Sequence, residues 1–364
     1  MSIDFIGFVG HFNSSETMPR TSVAGIDPGY IETVAKAHEY AGFDRALVAF
    51  HSVSPDSVVV AQHALAVTRR LGVMIAQRPG FTAPTVAARQ LATMDQIYEG
   101  RVAVHIITGG SDQELRQDGD NLTKDERYAR TDEYLDIMRL SWTAPKPFDY
   151  AGKYYQIEGG YAAIRSVAQP HIPVYFGGTS DAAIPVAGKH ADIYALWGET
   201  HAQVRELMAR VSAAAARHNR APRFSLSFRP ILADTEEKAW KRADAILEQA
   251  REVADRTGYK RTGEPPNDGS RRLLAAAAQG ARLDKRLWTA MAGLTGAKGN
   301  STSLVGTPEQ VADALMDYWD LGATTFLMRG FDPLEDAIDY GKSLIPLVRE
   351  MVAARESQRP ARAS

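Results

Sequence analysis

The sequence predicts a (β/α)8 TIM barrel with insertions, the largest of them after the seventh strand. Three observations carry that prediction: eight short apolar runs, helical patterns alternating with them, and glycines or hydroxyl residues where several runs end. Parallel strands need crossovers of about a dozen residues or more, and helices supply them. The beat is clearest in residues 84–110, PTVAARQLATMDQIYEGRVAVHIITGG. Pro84 fits a first helical turn, Val86, Leu91, Met94 and Ile97 recur at near-helical spacing, and Gly100 fits a left-handed cap. The run from Val102 to Thr108 is apolar at nearly every position, as a strand buried on both faces should be. Gly109 and Gly110 then let backbone approach a ligand without side-chain obstruction.

In chain order the expected strands are 4–11, 45–53, 72–79, 101–109, 172–178, 192–199, 223–232 and 324–331. The expected helices are 28–41, 54–70, 85–98, 124–142, 180–189, 201–218, 308–321 and 333–353. One barrel domain over 1–355 accounts for them, with a flexible tail at 356–364. A doubly wound open sheet is the alternative reading of the same alternation. Two segments interrupt the rhythm. Residues 144–170 read as an excursion with a small hairpin, DYAGKYYQI. Residues 234–303 hold a helix at 236–251 and then a polar run, DRTGYKRTGEPPNDGSRR, whose few apolar anchors suit a mobile lid.

Composition narrows the function. With 45% hydrophobic and 24% charged residues the 364-residue chain is ordinary for a globular protein, and its net charge of −2 favours neither nucleic acid nor an anionic membrane. The absence of cysteine removes disulfides, thiolate metal ligands and cysteine nucleophiles. The N-terminus lacks the basic region and cleavage site of a signal peptide, and no run reaches the ~20 apolar residues of a membrane span, so a cytoplasmic location is expected. The nine histidines show no HExxH, and GxSxG, Walker A and GxGxxG motifs are missing, so no metal is expected.

Chemistry in such a barrel sits where strands end and helices begin. In VYFGGTSDAA, Gly177 and Gly178 leave the fifth strand, Thr179 and Ser180 follow, and a helix is expected from Ser180 or Asp181. Amides and hydroxyls there suit a phosphate monoester, or serve only to cap the helix. In RFSLSFRP on the seventh strand, Phe224, Leu226 and Phe228 share one face and Ser225, Ser227 and Arg229 the other. The polar face looks inward, where Arg229 needs a partner: an anionic ligand, or an internal carboxylate such as Glu199. Arg329 shares a face with Phe331 and offers a second cation. His11 ends the first strand beside polar residues and is expected to contact the site; His105 lies mid-strand, either as a hydrogen-bonded core residue or as a ligand contact.

Taken together, PTVAARQLATMDQIYEGRVAVHIITGG, DERYARTDEYLDIM, IPVYFGGTSDAA, LWGE and SLVGTPEQVADAL resemble the flavin-dependent, bacterial-luciferase-like monooxygenases, within them the alkanesulfonate monooxygenase group. The likeness spans nearly the whole chain in order. It implies a (β/α)8 barrel using oxygen and reduced FMN delivered by a separate NAD(P)H-dependent flavin reductase, as a dimer or tetramer; the sulfonate enzymes release sulfite and an aldehyde. Carried onto these residues, the resemblance puts the flavin phosphate on Gly178, Thr179 and Ser180 with Tyr128 nearby, and Thr108 against the flavin ring. His105 stands where the group usually has asparagine, and Ser54 where a cysteine lies near the flavin. His11 and Trp197 match pocket-lining residues.

The chain departs from that group on the substrate side. Sulfonate enzymes carry arginine and histidine two apart on the seventh strand, where Ser227 and Arg229 stand here; their tyrosine after the eighth strand is Phe331, and Lys298 is the nearest match to their lid arginine. The expected catalytic set is therefore Arg229, His11 and Trp197, with Arg329, Phe331 and Lys298 toward the substrate. The implied substrate is a small organosulfur compound, a sulfonate or a sulfone. Two further readings are a hydride-transfer oxidoreductase using the deazaflavin F420 and a non-catalytic flavin-binding subunit.

Overall fold

The computed structural model describes residues 3–18, 25–257 and 265–358. All eight expected barrel strands are present: Asp4–Phe8, Arg45–Val48, Gly72–Gln77, Val102–Ile106, Val174–Gly177, Ile193–Trp197, Arg223–Phe228 and Ala323–Met328. They pair in parallel in the order 1-8-7-6-5-4-3-2 and close on themselves, which rules out the open doubly wound sheet. Each strand stops short of its expected carboxyl end, so the residues beyond are loops free to shape a site. The seventh strand shows why: Pro230 has no amide for the ladder, and Ile231–Leu232, expected to extend that strand, pairs instead with Val305 and Gly306.

Helices cross between strands as expected, started by side-chain caps. Asp27 accepts from the Tyr30 amide, and Thr123, Thr200 and Thr307 each form a reciprocal capping box with the residue three ahead. The helix expected from Ser180 begins at Ala183. A short helix, Asp112–Gln117, was not expected, and the last one is divided into Pro333–Asp339, a π turn at Tyr340–Leu344 and Ile345–Ser357. That final helix takes in the first two residues of the expected tail; residues 359–364 lie outside the described residues.

Alternation along the strands divides the apolar residues into two cores. Phe5, Val104, Phe176, Leu226, Phe228 and Phe326 pack outward against the helices, while Ile6, Met74, Ala103, Tyr175 and Ile193 fill the barrel. Above that inner floor, Leu47, His105, Ala195, Trp197 and Leu327 remain partly exposed although they lie on barrel strands. The barrel is thus a cup, sealed below and open at the strands' carboxyl ends.

The insertion after the seventh strand is more ordered than its composition suggested. Ile231–Leu232, Ser303–Gly306, Leu287–Trp288 and Arg282–Leu283 form a four-stranded sheet. The helix Glu236–Thr257 lays Ala239, Ala243, Ile246 and Ala250 against Trp288, Met291, Val305 and Phe331 in a core of its own. A second helix, Asp268–Gln279, follows. Residues 258–264 of the polar run expected as a lid lie outside the described residues. The expected hairpin is Phe148–Ala151 paired with Gln156–Gly160. Among the described residues no helix is long and apolar enough to cross a membrane.

Two histidines make the fold acid-sensitive. His38 is fully buried, its Nδ1 donating to the Val34 carbonyl (2.7 Å) and its Nε2 accepting from the Phe8 amide (3.2 Å). Burial pulls both His38 and His105 from the usual histidine value to about 4. Below pH 6.5 the unfolded chain takes up protons that the native state refuses, so stability falls as pH drops from about 6.5 to about 4. For His38, the fully buried one, the cost is on the order of 3 kcal/mol once pH is below both values. Thermal unfolding measured across this window should show a falling Tm, and His38→Gln should flatten the fall; a Tm independent of pH between 7 and 4 contradicts the assignment.

Candidate active site

The fifth strand runs into the loop Gly177–Ala182 before the helix Ala183–His190. The Ser180 Oγ accepts from the Ala183 amide at 3.3 Å, two residues ahead of the N-cap, Ala182. Thr179 does not cap. Its Oγ1 is buried and has no hydrogen-bond partner. Gly178 sits at φ +139°, and a Cβ there would lie 2.5 Å from the Tyr128 hydroxyl and 3.1 Å from Ala183 Cβ. Tyr128 is buried and packs on Phe176 with ring centroids 6.4 Å apart, while the Tyr194 hydroxyl donates to the Gly178 carbonyl. The Tyr128 phenol, the unpartnered Thr179 hydroxyl and the start of a helix thus lie around one backbone turn.

Beside this turn stands His105, with Gly177 so near that a Cβ would fall 3.3 Å from the imidazole Cε1. Burial keeps the ring neutral at physiological pH, and its Nδ1 is without a partner. Thr108 is buried in the fourth-strand loop, and Gly109, at φ +86°, makes room there for Leu115. The third-strand loop contributes Arg78, whose guanidinium lies 2.6 Å from Glu114, 3.3 Å from Ser52 Oγ and 4.9 Å above the Phe50 ring. Burial alone would raise Glu114, but hydrogen bonds from His51, Arg78 and the Ser52 amide outweigh it and hold the carboxyl at about 2. Ser54 is half-buried in the second-strand loop, its amide on the His51 carbonyl at 2.9 Å.

On the far side of the mouth two arginines point inward from adjacent strands. Arg229 is 1% exposed; it donates to Glu16 at 2.7 Å and to the Gly330 carbonyl at 3.0 Å, and lies 3.7 Å over the Phe331 ring. Its internal partner is thus Glu16. Glu199, the carboxylate the sequence pointed to, is held by Arg272 of the insertion through three contacts of 2.7–2.9 Å. Arg329 lies 4.4 Å over Phe8, donates to the Ser14 carbonyl at 3.2 Å and stays partly exposed to the cup. Phe331 is buried in the insertion's core, so it reaches the mouth as the ring under Arg229. His11 stands in the loop after the first strand, its ring against Phe12.

The insertion roofs the mouth. Trp197 packs beneath the start of the helix Asp268–Gln279, where a Cβ on Gly269 would lie 2.9 Å from the indole. Thr302 donates to the Gly198 carbonyl at 2.6 Å and accepts from the Arg229 amide at 3.0 Å. Lys298 is exposed on the same loop. Neighbouring Asn300 has both side-chain polar atoms buried and unpartnered, a feature sequence reasoning missed because nothing marks a lone asparagine in a glycine-rich loop. The sequence also missed Glu16 and Arg272, whose partners are 213 and 73 residues away. Away from the mouth, Asp132, Asp136 and His190 have metal-ligand spacing, but Lys189 sits on the two carboxylates at 2.8 and 2.7 Å.

The closed parallel barrel thus carries, at the carboxyl ends of its strands, the Gly178 turn on one side and two arginines on the other. A family model described as luciferase-like monooxygenase matches residues 4–325, and the chain belongs to that family of flavin-dependent enzymes. Solved structures share the fold across nearly the whole chain. An EDTA monooxygenase from Chelativorans sp. BNC1 is 18% identical, covering 96% of this chain and 94% of its own, with a TM-score of 0.75. A riboflavin lyase solved with modified FMN and riboflavin is 19% identical, covering 97% and 92%, at 0.74. An F420-dependent secondary alcohol dehydrogenase is 17% identical, covering 96% and 99%, at 0.67.

Proposed function

We propose that this chain is the oxygenase of a two-component system, taking reduced FMN from an NAD(P)H:flavin reductase and oxidising a small organosulfur substrate. The unpartnered Thr179 hydroxyl beside the Gly178 cradle carries the reading, because these residues fit a terminal phosphate. Thr179, Ser180 and Tyr128 would hold that phosphate, with Thr108, neutral His105 and Ser54 toward the ring side. Bound reduced flavin supplies the two electrons that oxygen activation needs. For a sulfonate the balance is RCH2SO3⁻ + FMNH2 + O2 → RCHO + HSO3⁻ + FMN + H2O. Carbon is oxidised, the C–S bond breaks, and bisulfite leaves.

The chain's own residues contribute positioning and dryness. The apolar floor of Ile6, Met74, Ala103, Tyr175 and Ile193 excludes water from below, and the roof over Trp197 excludes it from above. Arg229 and Arg329 hold fixed charge on the substrate side without reorganisation, with His11 beside them. We place the enzyme in the cytoplasm, where the reductase has NAD(P)H, as a dimer or tetramer that light scattering would count.

Sulfite and aldehyde release from a panel of sulfonates and sulfones, with flavin reductase, NADH and oxygen, tests the reading. Turnover that requires oxygen and FMN is expected; no organosulfur turnover overturns the substrate assignment. Thr179→Ala should weaken FMN binding by about tenfold with the fold intact, the loss of a charge-assisted hydrogen bond of roughly 1.5 kcal/mol. Fluorescence titration reads it, and unchanged affinity removes Thr179 from the site. The likeness to an F420-dependent dehydrogenase supports a second reading, hydride transfer to F420, which oxygen-independent turnover with F420 would establish.

A further inference from the structure

Three charged groups meet at the seventh- and eighth-strand side of the mouth, and their charges do not cancel. Arg229 and Arg329 contribute two positive charges, and the carboxylate facing both of them is Glu16. Glu16 belongs to Arg229, at 2.7 Å, in a geometry completed by the Gly330 carbonyl and the Phe331 ring. Arg329 has the neutral Ser14 carbonyl and the Phe8 ring instead, while the Nε of each arginine is buried without a partner. Tyr30, whose ionisation burial pushes up to about 12, adds no negative charge near it. Among the described residues one carboxylate thus serves two guanidinium groups; a poorly hydrated surplus cation is costly, and a bound anion removes that cost. The same surplus shows in Arg329 itself, which burial and the neighbouring Arg229 pull down to about 10.

We infer that Arg329, not Arg229, is the group that receives the substrate's charge, that the substrate carries one negative charge, and that Glu16 is a positioning residue that keeps Arg229 neutralised. The inference rests on the flavin-site reading and sharpens it, favouring a monoanion such as a sulfonate over an uncharged sulfone. The anion would lie in the cup between the first and eighth strands, three strands round the barrel from the Gly178 turn. Substrate charge and cofactor phosphate thus occupy separate cradles.

The test is calorimetric titration of the FMN-loaded protein with straight-chain alkanesulfonates and with dialkyl sulfones of equal length. Wild type should prefer the sulfonates by about tenfold or more, the scale of one charge-assisted contact. Arg329→Gln should abolish the preference, Arg329→Lys should keep part of it, and Glu16→Gln should strengthen sulfonate binding by freeing a second cation. A preference that survives Arg329→Gln, a weakening in Glu16→Gln, or no preference in wild type overturns the inference. FMN titration of the same proteins separates the failures: if FMN binds and the anion preference is missing, this inference alone falls. If FMN does not bind to wild type, the flavin site falls with it.

Discussion

Gly178→Val should abolish flavin binding while leaving the barrel folded. The backbone there stands at φ +139°, a conformation that a β-branched residue adopts only under strain, and a Cβ would lie 2.5 Å from the Tyr128 hydroxyl. Tyr128 is buried against Phe176 and has no room to retreat without reshaping the turn. The new side chain would also meet Ala183, the first residue of the following helix, whose Cβ lies 3.1 Å from the added Cβ. We expect a loss of FMN affinity of about a hundredfold or more, equivalent to roughly 3 kcal/mol. Circular dichroism checks the fold, and fluorescence titration with FMN reads the affinity. Gly178→Ala, with the same Cβ and less bulk, should show a smaller loss in the same direction. Near-wild-type binding by the valine variant would move the phosphate away from this turn.

Arg272→Ala should loosen the roof and destabilise the protein more than any other single change considered. Arg272 reaches from the insertion to bind Glu199 with Nε at 2.9 Å to both carboxylate oxygens and Nη2 at 2.7 Å, and also meets Glu206 and the Gln203 carbonyl. Glu199 is 1% exposed, so removing the arginine strands a buried carboxylate. Burial already raises the Glu199 carboxyl, with the hydrogen bonds and charge of Arg272 opposing the rise, so the variant should drive it higher still. Breaking such a pair from one side costs about 3–5 kcal/mol. For a chain of this size that corresponds to a Tm lowered by roughly 4–7 °C. Glu199→Gln in the Arg272→Ala background should restore part of the loss, because a neutral amide tolerates burial better than an unpaired charge. A Tm within a degree of wild type in the single variant would show that the clasp does not hold the roof.

The barrel was legible because its signal is local. Each buried strand is a short apolar run and each crossover a 3.6-residue pattern, so both periods repeat along the sequence. The inward direction of Arg229 was legible for the same reason: alternation from Phe224 to Phe228 sets which residues share its face, and Leu226 and Phe228 do lie in the outer core. What Arg229 pairs with was not legible, since Glu16 lies in a loop after the first strand and only barrel closure brings the two together. The insertion hid its order for a different reason. Its helix buries alanines, Ala239, Ala243 and Ala250, and three of its strands are two-residue pieces, Ile231–Leu232, Arg282–Leu283 and Leu287–Trp288, too short to show alternation. Sequence singled out Thr179 and Ser180, but it could not divide phosphate contact from helix capping. In the structure the Ser180 Oγ accepts from the Ala183 amide, and the Thr179 hydroxyl has no partner.

Anaerobic titration of the wild-type protein with reduced FMN and, separately, with reduced F420 tests the central claim most directly. The account predicts saturable binding of one reduced FMN per barrel, in preference to F420. Binding of reduced F420 alone, or of neither cofactor, would contradict it.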